Sequence, residues 1–364
     1  MDKKIWVVML FVALSAQQLM GGSMKRLSFY SACFTEKAPE LDGKLSEPEW
    51  ERAPAYSTYY EYWTPDPGIG KLKTSFKMLY GAKGVYLAII NYEKDMSKVK
   101  ANYTNRDVPA LWEDCCAEIY FDPSGAGIGY TVFTVNSIGT LGDRRQLDTA
   151  VSLGEWSGVG WSAATSRNSD NWTVEAFFPW GDLGGTAKEG DLWRFCHVRY
   201  SHCSGFLGIT SSPGGNYLNA GGFGYLYFGG TTPLDGQAVG RLLSEKVPPP
   251  WSFPDGNNMI VCDQKSSFKV ENIANLATAE KARAMKLVEE IESLAVAGDP
   301  PQAAVLKNAG EIGASVNKCE IVGLPADNLQ LAKNLSEQCA TLTNLYWSLK
   351  TIGLINSTTS IERK

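Results

Sequence analysis

The sequence has few of the residues from which catalytic and metal sites are usually built. It contains only two histidines, His197 and His202, and its eight cysteines include no Cys-x-x-Cys pair. That spacing is typical of structural zinc sites, so its absence argues against one. There is also no glycine-rich phosphate loop, no nucleophile elbow and no His-Glu-x-x-His motif. The chain therefore carries no signature of a nucleotide hydrolase, an α/β-hydrolase or a zinc protease.

The sequence also lacks an excess of positive charge and a long apolar run. The formal net charge is −5, which argues against nucleic acid or an anionic membrane as the main partner. The longest apolar run, residues 5–16, is too short for an ordinary membrane span. Lys3 and Lys4 precede it and small residues follow, which is typical of an export signal covering residues 1–23. We expect a secreted, periplasmic or cell-surface protein, in which disulfides are permitted.

What is present is a β-rich first part. The whole chain of 364 residues suggests about two domains. A strand pattern places Leu72, Thr74, Phe76, Met78 and Tyr80 in alternation with lysines and a serine, and further short runs recur to residue 228, separated by glycine-rich turns. Many short strands of this kind predict an antiparallel β-sandwich, either immunoglobulin-like or jelly-roll-like.

The most informative stretch is residues 111–123. Trp112 is followed by three acids, Glu113, Asp114 and Glu118, and the last of these lies in a predicted strand. An aromatic ring can cover the apolar face of a sugar, and carboxylates accept hydrogen bonds from its hydroxyls. The competing interpretation is a core tryptophan beside solvated acids.

The same stretch resembles the central signature of the family 9 carbohydrate-binding modules. Other motifs follow in the order of that family: LDGKLSEPEW at 41–50, GVYLA at 84–88, FTVNSIGT at 133–140, WTVEAFFPW at 172–180, GDLWRF at 190–195 and FGYL at 223–226. The resemblance covers about residues 40–229 and assigns residues 35–229 to a module of this kind.

The resemblance implies a set of binding residues. Trp112 and Tyr217 would flank the sugar, and Glu118 and Asn136 would hold its hydroxyls. Tyr217 stands where the sugar binders carry Trp, and Thr134 stands where they carry Arg, which removes a forked, charged donor. The resemblance also allows calcium in loops, but no ligand residues can be matched.

The remainder of the chain has no family resemblance. Residues 230–265 include Pro248, Pro249 and Pro250, and predict an extended connector. Residues 266–358 show helical periodicity and predict a helical hairpin or a small three-helix bundle, with the last helix starting near Asp327 and ending at Gly353.

We therefore expect a mainly β protein with a C-terminal α part that binds a carbohydrate without catalysis. The alternative is an exported structural or interaction protein whose sandwich has lost its sugar site and whose helices dock a protein partner. A weaker alternative is a haem-binding relative that uses His197 or His202 together with Met78 or another soft ligand. Neither a nucleic-acid partner nor an enzymatic activity is expected.

The export signal generates the first testable prediction. N-terminal sequencing of the protein from its native host should find residues before about 20 removed, because signal peptidase cleaves after the small residues that follow the apolar run. A cytosolic protein with Met1 intact would contradict export.

Overall fold

The computed structural model describes residues 24–62, 68–147, 151–152, 156–213, 217–295, 300–321 and 325–361. The predicted export signal lies outside these residues. The described chain divides into two compact units, Arg26–Gly256 and the described parts of Met1–Lys25 and Asn257–Lys364. Among the described residues, no helix combines the length and the apolar character needed to cross a membrane.

The strands, in chain order, are β1 (Lys25–Arg26), β2 (Phe29–Phe34), β3 (Tyr60–Glu61), β4 (Thr74–Gly81), β5 (Gly84–Tyr92), β6 (Cys116–Asp122), β7 (Gly129–Asn136), β8 (Leu141–Leu147), β9 (Val151–Ser152), β10 (Ser162–Arg167), β11 (Asn171–Pro179), β12 (Leu192–Ser201), β13 (Leu207–Thr210), β14 (Gly224–Phe228), β15 (Trp251–Asp255), β16 (Asn258–Cys262) and β17 (Phe268–Asn272). The α-helices are α1 (Trp180–Leu183), α2 (Gly236–Lys246), α3 (Ile273–Leu294), α4 (Pro300–Asn317) and α5 (Pro325–Ile361).

The first unit is built on two sheets that share strand β2. One sheet has the order β10-β11-β5-β4-β2, and the other continues as β2-β14-β12-β6-β7-β8-β9. Strand β2 pairs in parallel with β14 through its first residues and with β4 through Cys33 and Phe34. The other ladders of these two sheets are antiparallel. The expected start of the module at residue 35 was therefore too late, because β2 is the strand that joins its halves.

The core between the sheets follows the period-two pattern of the strands. Strand β6 contributes Ala117, Ile119 and Phe121 to this core, and β4 contributes Phe76 and Met78. The alternate residues of β6 are buried too, because a second apolar cluster covers the outer face of the sheet. That cluster is Cys116, Tyr120, Tyr130, Val132, Cys196, Val198, Tyr200, Tyr217, Ala220 and Phe223. The predicted β-sandwich, followed by a helical part, is confirmed.

The segment expected to be an extended connector is folded. Helix α2 and strand β15 both lie within residues 230–256, and Asp235 caps α2 through its side chain. Trp251 is completely buried, and its indole N–H donates to the Val247 carbonyl. The prolines end α2 and turn the chain, but the residues after them return to pack in the first unit.

The second unit contains an antiparallel hairpin and three helices. Strands β16 and β17 form the hairpin, and Asn272 caps α3 by accepting hydrogen bonds from two backbone N–H groups. The three helices share one apolar core, into which α5 places Leu335, Cys339 and Leu342. Helix α5 continues to Ile361, so the prediction that it ends at Gly353 was wrong: a single glycine weakens a helix without stopping it.

His197 shows how completely the first core excludes water. The ring lies 5.5 Å from that of Tyr59 and 5.7 Å from that of Phe76, and Nδ1 is hydrogen bonded to the Tyr59 hydroxyl. Burial, and then the Arg199 guanidinium, lower the pKa of His197 from 6.5 to about 3. The buried ring is therefore neutral at physiological pH.

We expect His197 to make the protein acid-labile. The unfolded chain takes up a proton near pH 6.5, whereas the folded chain does so only near pH 3. Above pH 6.5 the ring is neutral in both the folded and the unfolded chain, so the protein has its full stability. As the pH falls from 6.5 toward 3, protonation of the unfolded chain lowers the free energy of unfolding by about 1.4 kcal/mol per pH unit. In urea titrations between pH 7 and 4, His197→Leu should lose this slope, while His202→Leu should keep it. Equal slopes in the parent and His197→Leu would contradict the prediction.

Candidate functional site

A cavity of about 520 Å³ opens on the outer face of the second sheet, beside strands β6, β7 and β8. Among the described residues, its lining is Tyr62, Asp107, Val108, Pro109, Leu111, Trp112, Glu118, Thr134, Gly142, Asp143, Arg144, Tyr200 and Tyr217. Its volume falls within the range of small-ligand sites. Three of the four sequence-predicted binding residues, Trp112, Glu118 and Tyr217, lie around this one cavity.

Glu118 forms the floor. Its backbone pairs with Thr134 on β7 and with Val198 on β12, so the side chain stands in the middle of the sheet. The buried carboxylate accepts hydrogen bonds from the hydroxyls of Tyr120 and Tyr200, the latter at 3.3 Å. Burial, and then the Glu118 charge, raise the pKa of both tyrosines well above 10, so both phenols stay protonated as donors.

Arg144 supplies the charge that balances Glu118. It lies on β8, one strand beyond β7, and its Nη1 and Nη2 atoms are 3.3 and 3.4 Å from Glu118 Oε1. Burial lowers the pKa of Arg144, but the Glu118 carboxylate together with Tyr120 and Tyr130 more than offsets this, and the net shift is upward. About 40% of its side chain remains exposed, so part of the guanidinium still faces the cavity.

Arg144 also changes the interpretation of Thr134. The resemblance indicated that a forked, charged donor had been lost at position 134. The structure instead brings a guanidinium to the same carboxylate from the neighbouring strand, and the Thr134 hydroxyl lies 3.5 Å from Glu118 Oε1. Sequence reasoning missed Arg144 because β8 has no apolar alternation. The adjacent pair Arg144-Arg145 in a segment after a glycine turn was the one available signal.

An aromatic row, formed by Trp112, Phe206, Tyr62 and Tyr217, lies along one side of the cavity. Trp112 is 46% exposed and contacts Phe206 edge to face, with ring centroids 6.4 Å apart. Phe206 lies 6.1 Å from Tyr62, which stacks on Tyr217 at 5.0 Å. The interpretation of Trp112 as a core residue was therefore wrong.

Tyr217 has a different place from the one expected. It is only 8% exposed, Tyr62 covers one of its ring faces, and the two hydroxyls lie 3.1 Å apart. Burial raises the pKa of Tyr217 above its ordinary value. The ring face that Tyr62 covers is therefore not available to stack on a ligand.

Asn136 does not line the cavity. Its amide nitrogen donates to the Tyr103 carbonyl at 2.9 Å and to Asp114 at 3.0 Å, and its oxygen accepts from the Thr140 backbone at 2.8 Å. Asp114 in turn accepts from the backbone of Asn102 and Tyr103. The expected contact of Asn136 with ligand hydroxyls is therefore corrected: all three polar positions of its amide hold neighbouring loops.

The described residues offer little that fits calcium. Asp42, Glu47 and Glu175 place carboxylate oxygens within 4.8 Å of one another. Glu175 already accepts three N–H donors, from Trp50 and from the backbone of Asp42 and Gly43, and Asp42 binds Lys44. One buried oxygen of Glu47 has no partner, whereas calcium takes six to eight oxygen ligands. The cluster instead anchors the segment that contains Trp50.

Among the described residues, the side chains named for the haem alternative do not lie together. His197 and Met78 are completely buried in the packed core. His202 Nε2 lies 3.2 Å from the Trp112 carbonyl, at the edge of the aromatic row. None of these three side chains lines the cavity described above.

Comparison with known proteins gives similarity at the level of structure only. No family model matches the chain, and no curated protein matches it. Among solved structures, it is similar to a family 9 carbohydrate binding module from Caldicellulosiruptor kristjanssonii in complex with glucose, with 15% identity, 57% of this chain and 99% of that chain covered, and a TM-score of 0.42. It is likewise similar to a module from the same organism in complex with cellotriose, with 15% identity, 58% and 100% covered, and a TM-score of 0.41. The C-terminal part is unmatched.

Proposed function

We propose that the protein binds a carbohydrate in this cavity without transforming it. The observation that carries the proposal is a half-exposed tryptophan, Trp112, at the mouth of a cavity whose floor is the Glu118–Arg144 pair. A sugar ring combines apolar C–H faces with a polar rim of hydroxyls. An exposed indole matches such a face, and a carboxylate beside a guanidinium matches neighbouring hydroxyls as acceptor and donor.

The paired charges suit a neutral ligand. Glu118 is balanced by Arg144, and Asp143 lies within ion-pair distance of Arg106. A hydroxyl can donate to a carboxylate and accept from a guanidinium without bringing its own charge into a buried site. This favours an uncharged sugar over an anionic or cationic metabolite.

The acids of the cavity support binding rather than hydrolysis. Asp143 accepts hydrogen bonds at 2.7 Å from both the Trp161 indole and the Gly158 backbone. Asp107 accepts from the Asp143 backbone at 3.0 Å. Glycoside hydrolysis needs two carboxyl groups able to exchange protons with the substrate or water, and here Glu118, Asp143 and Asp107 are all engaged within the protein.

The setting that we propose for this activity is outside the cytoplasm, on the basis of the export signal. There the protein would act as an accessory that holds a sugar or a polysaccharide end for other proteins to process. The interaction-protein alternative draws on Trp347, which is 61% exposed on α5. It would be preferred if a broad glycan array found no ligand.

Replacing Trp112 separates a binding role from a structural one. Trp112→Ala should abolish sugar binding and change the melting temperature little, because the side chain is already half exposed. Truncating a core tryptophan would instead cost about 3–5 kcal/mol. Ligands found on a glycan array, with glucose and cellotriose as first probes, should be measured by calorimetric titration. The control Trp347→Ala removes another exposed indole and should bind as the parent does. Unchanged binding by Trp112→Ala would overturn the site.

The adjacent residues Arg144 and Arg145 on β8 provide a test variant and a matched control, because only Arg144 contacts Glu118. Arg144→Gln should weaken sugar binding by roughly 10- to 100-fold, because it removes a charged hydrogen-bond donor. Arg145 faces the other way, with its guanidinium 4.1 Å from the Trp156 ring and 3.1 Å from the Asp182 carbonyl. Arg145→Gln should therefore leave the affinity unchanged. Equal losses in the two variants would indicate a general disturbance of β8 rather than a contact of Arg144 with the ligand.

A further inference from the structure

Two buried thiols meet beneath the aromatic row. Cys115 directly precedes β6 and follows the turn that carries Trp112, whereas Cys203 follows β12 and precedes Phe206. Their Sγ atoms are 3.8 Å apart, and both side chains belong to the core cluster between the sheets. The next residue, Cys116, belongs to the cluster on the opposite face of the sheet. Strand alternation thus directs Cys115 toward Cys203 and away from its own neighbour.

The surroundings of the two thiols suit a covalent bond better than a metal ion. Glu93 is the third potential ligand within 4.8 Å. One of its oxygens accepts from the Arg199 guanidinium at 2.7 Å and the other from the Ser201 hydroxyl at 3.1 Å. The fixed positive charge of Arg199 opposes a second cation at this place. A sulfur–sulfur bond needs no charge balance in a buried site and places its atoms about 2.05 Å apart. Bond formation therefore requires the two sulfurs, now 3.8 Å apart, to move closer together.

We propose that Cys115 and Cys203 form a disulfide that ties the Trp112 turn to the Phe206 turn. The oxidant is a small-molecule or protein disulfide, such as oxidised glutathione. One thiolate attacks the oxidant and releases one thiol, and the second cysteine then displaces the other sulfur from the mixed disulfide. The products are one protein disulfide and the two thiols of the reduced oxidant. The two protons and two electrons lost by the cysteines end on these thiols.

The disulfide would fix the positions of the two turns that carry Trp112 and Phe206. His202 contacts both turns. Its backbone nitrogen lies 3.3 Å from Cys115 Sγ, and its ring nitrogen Nε2 is hydrogen bonded to the Trp112 carbonyl. Trp112 and Phe206 contact each other directly above. Cross-linking 115 to 203 fixes the separation of these two turns in the folded protein and closes a long loop in the unfolded one.

Burial also determines when the bridge forms. It raises the pKa of Cys203 to about 12, so the reactive thiolate is scarce in the folded protein at neutral pH. Oxidation should therefore be rapid while the chain folds and slow once folding is complete.

Thiol counting on the full chain tests the bridge, and its outcome does not depend on sugar binding. The reduced protein is unfolded in urea, refolded with oxidised and reduced glutathione, denatured and alkylated for mass spectrometry. The parent should carry two fewer alkyl groups than its eight cysteines, and a proteolytic peptide pair should link 115 to 203. The bridged protein should melt roughly 5 to 15 °C above its reduced form.

Single substitutions identify the partners. Cys115→Ser and Cys203→Ser should alkylate at every remaining cysteine, while the control Cys116→Ser should still lack two alkyl groups. If Cys203→Ser fails to fold, Cys203→Ala and the linked peptide of the parent give the same information. Complete alkylation of the refolded parent, a bridge through Cys116, or zinc bound to the reduced pair in place of a bridge would overturn the proposal.

Discussion

Strand β6 is buried on both faces, and this double burial constrains the first unit of the protein. Its inner residues fill the core between the sheets, while the outer ones lie beneath a second apolar cluster that includes Tyr217 and Phe223. A glutamate at the centre of such a strand is costly unless its charge is matched. Glu118 therefore determines what its neighbours must provide: hydroxyls from Tyr120 and Tyr200 and a guanidinium from Arg144.

The cavity lies where the partners of Glu118 are not fully covered by the rest of the protein. The Glu118 carboxylate accepts hydrogen bonds from Tyr120 and Tyr200 and pairs with Arg144. The Arg144 side chain remains partly exposed toward the opening. The loop bearing Trp112 covers the opening with a half-exposed ring. A polar floor that is already assembled loses little conformational freedom when a ligand binds, since few groups have to be ordered. The contacts that stabilise the buried charge thus also hold the polar groups of the cavity in place.

Much of the architecture could be predicted because it depends on local periodicity. Alternation placed Ala117, Ile119 and Phe121 on one face of β6, and helical spacing predicted the shared core of the last helix. Helix α2 and strand β15 escaped because the prolines between them indicated an extended connector. Strands β2 and β8 escaped for other reasons. Strand β2 begins near the N-terminus, and its role comes from parallel pairing with distant strands. Strand β8 is polar because it lies near the edge of its sheet, so no apolar pattern marks it as a strand.

The sequence by itself determined which residues could serve a sugar site and which strand faces they occupy. It assigned Trp112 and Glu118 to one region through their spacing. Only the tertiary structure decided that the Asn136 amide is hydrogen bonded to neighbouring loops and that Arg144, one strand beyond Thr134, pairs with Glu118. The reason is that strand alternation fixes the side on which a residue lies, but hydrogen-bond partners come from neighbouring strands and loops. Which strands become neighbours is set by the packing of the whole sandwich.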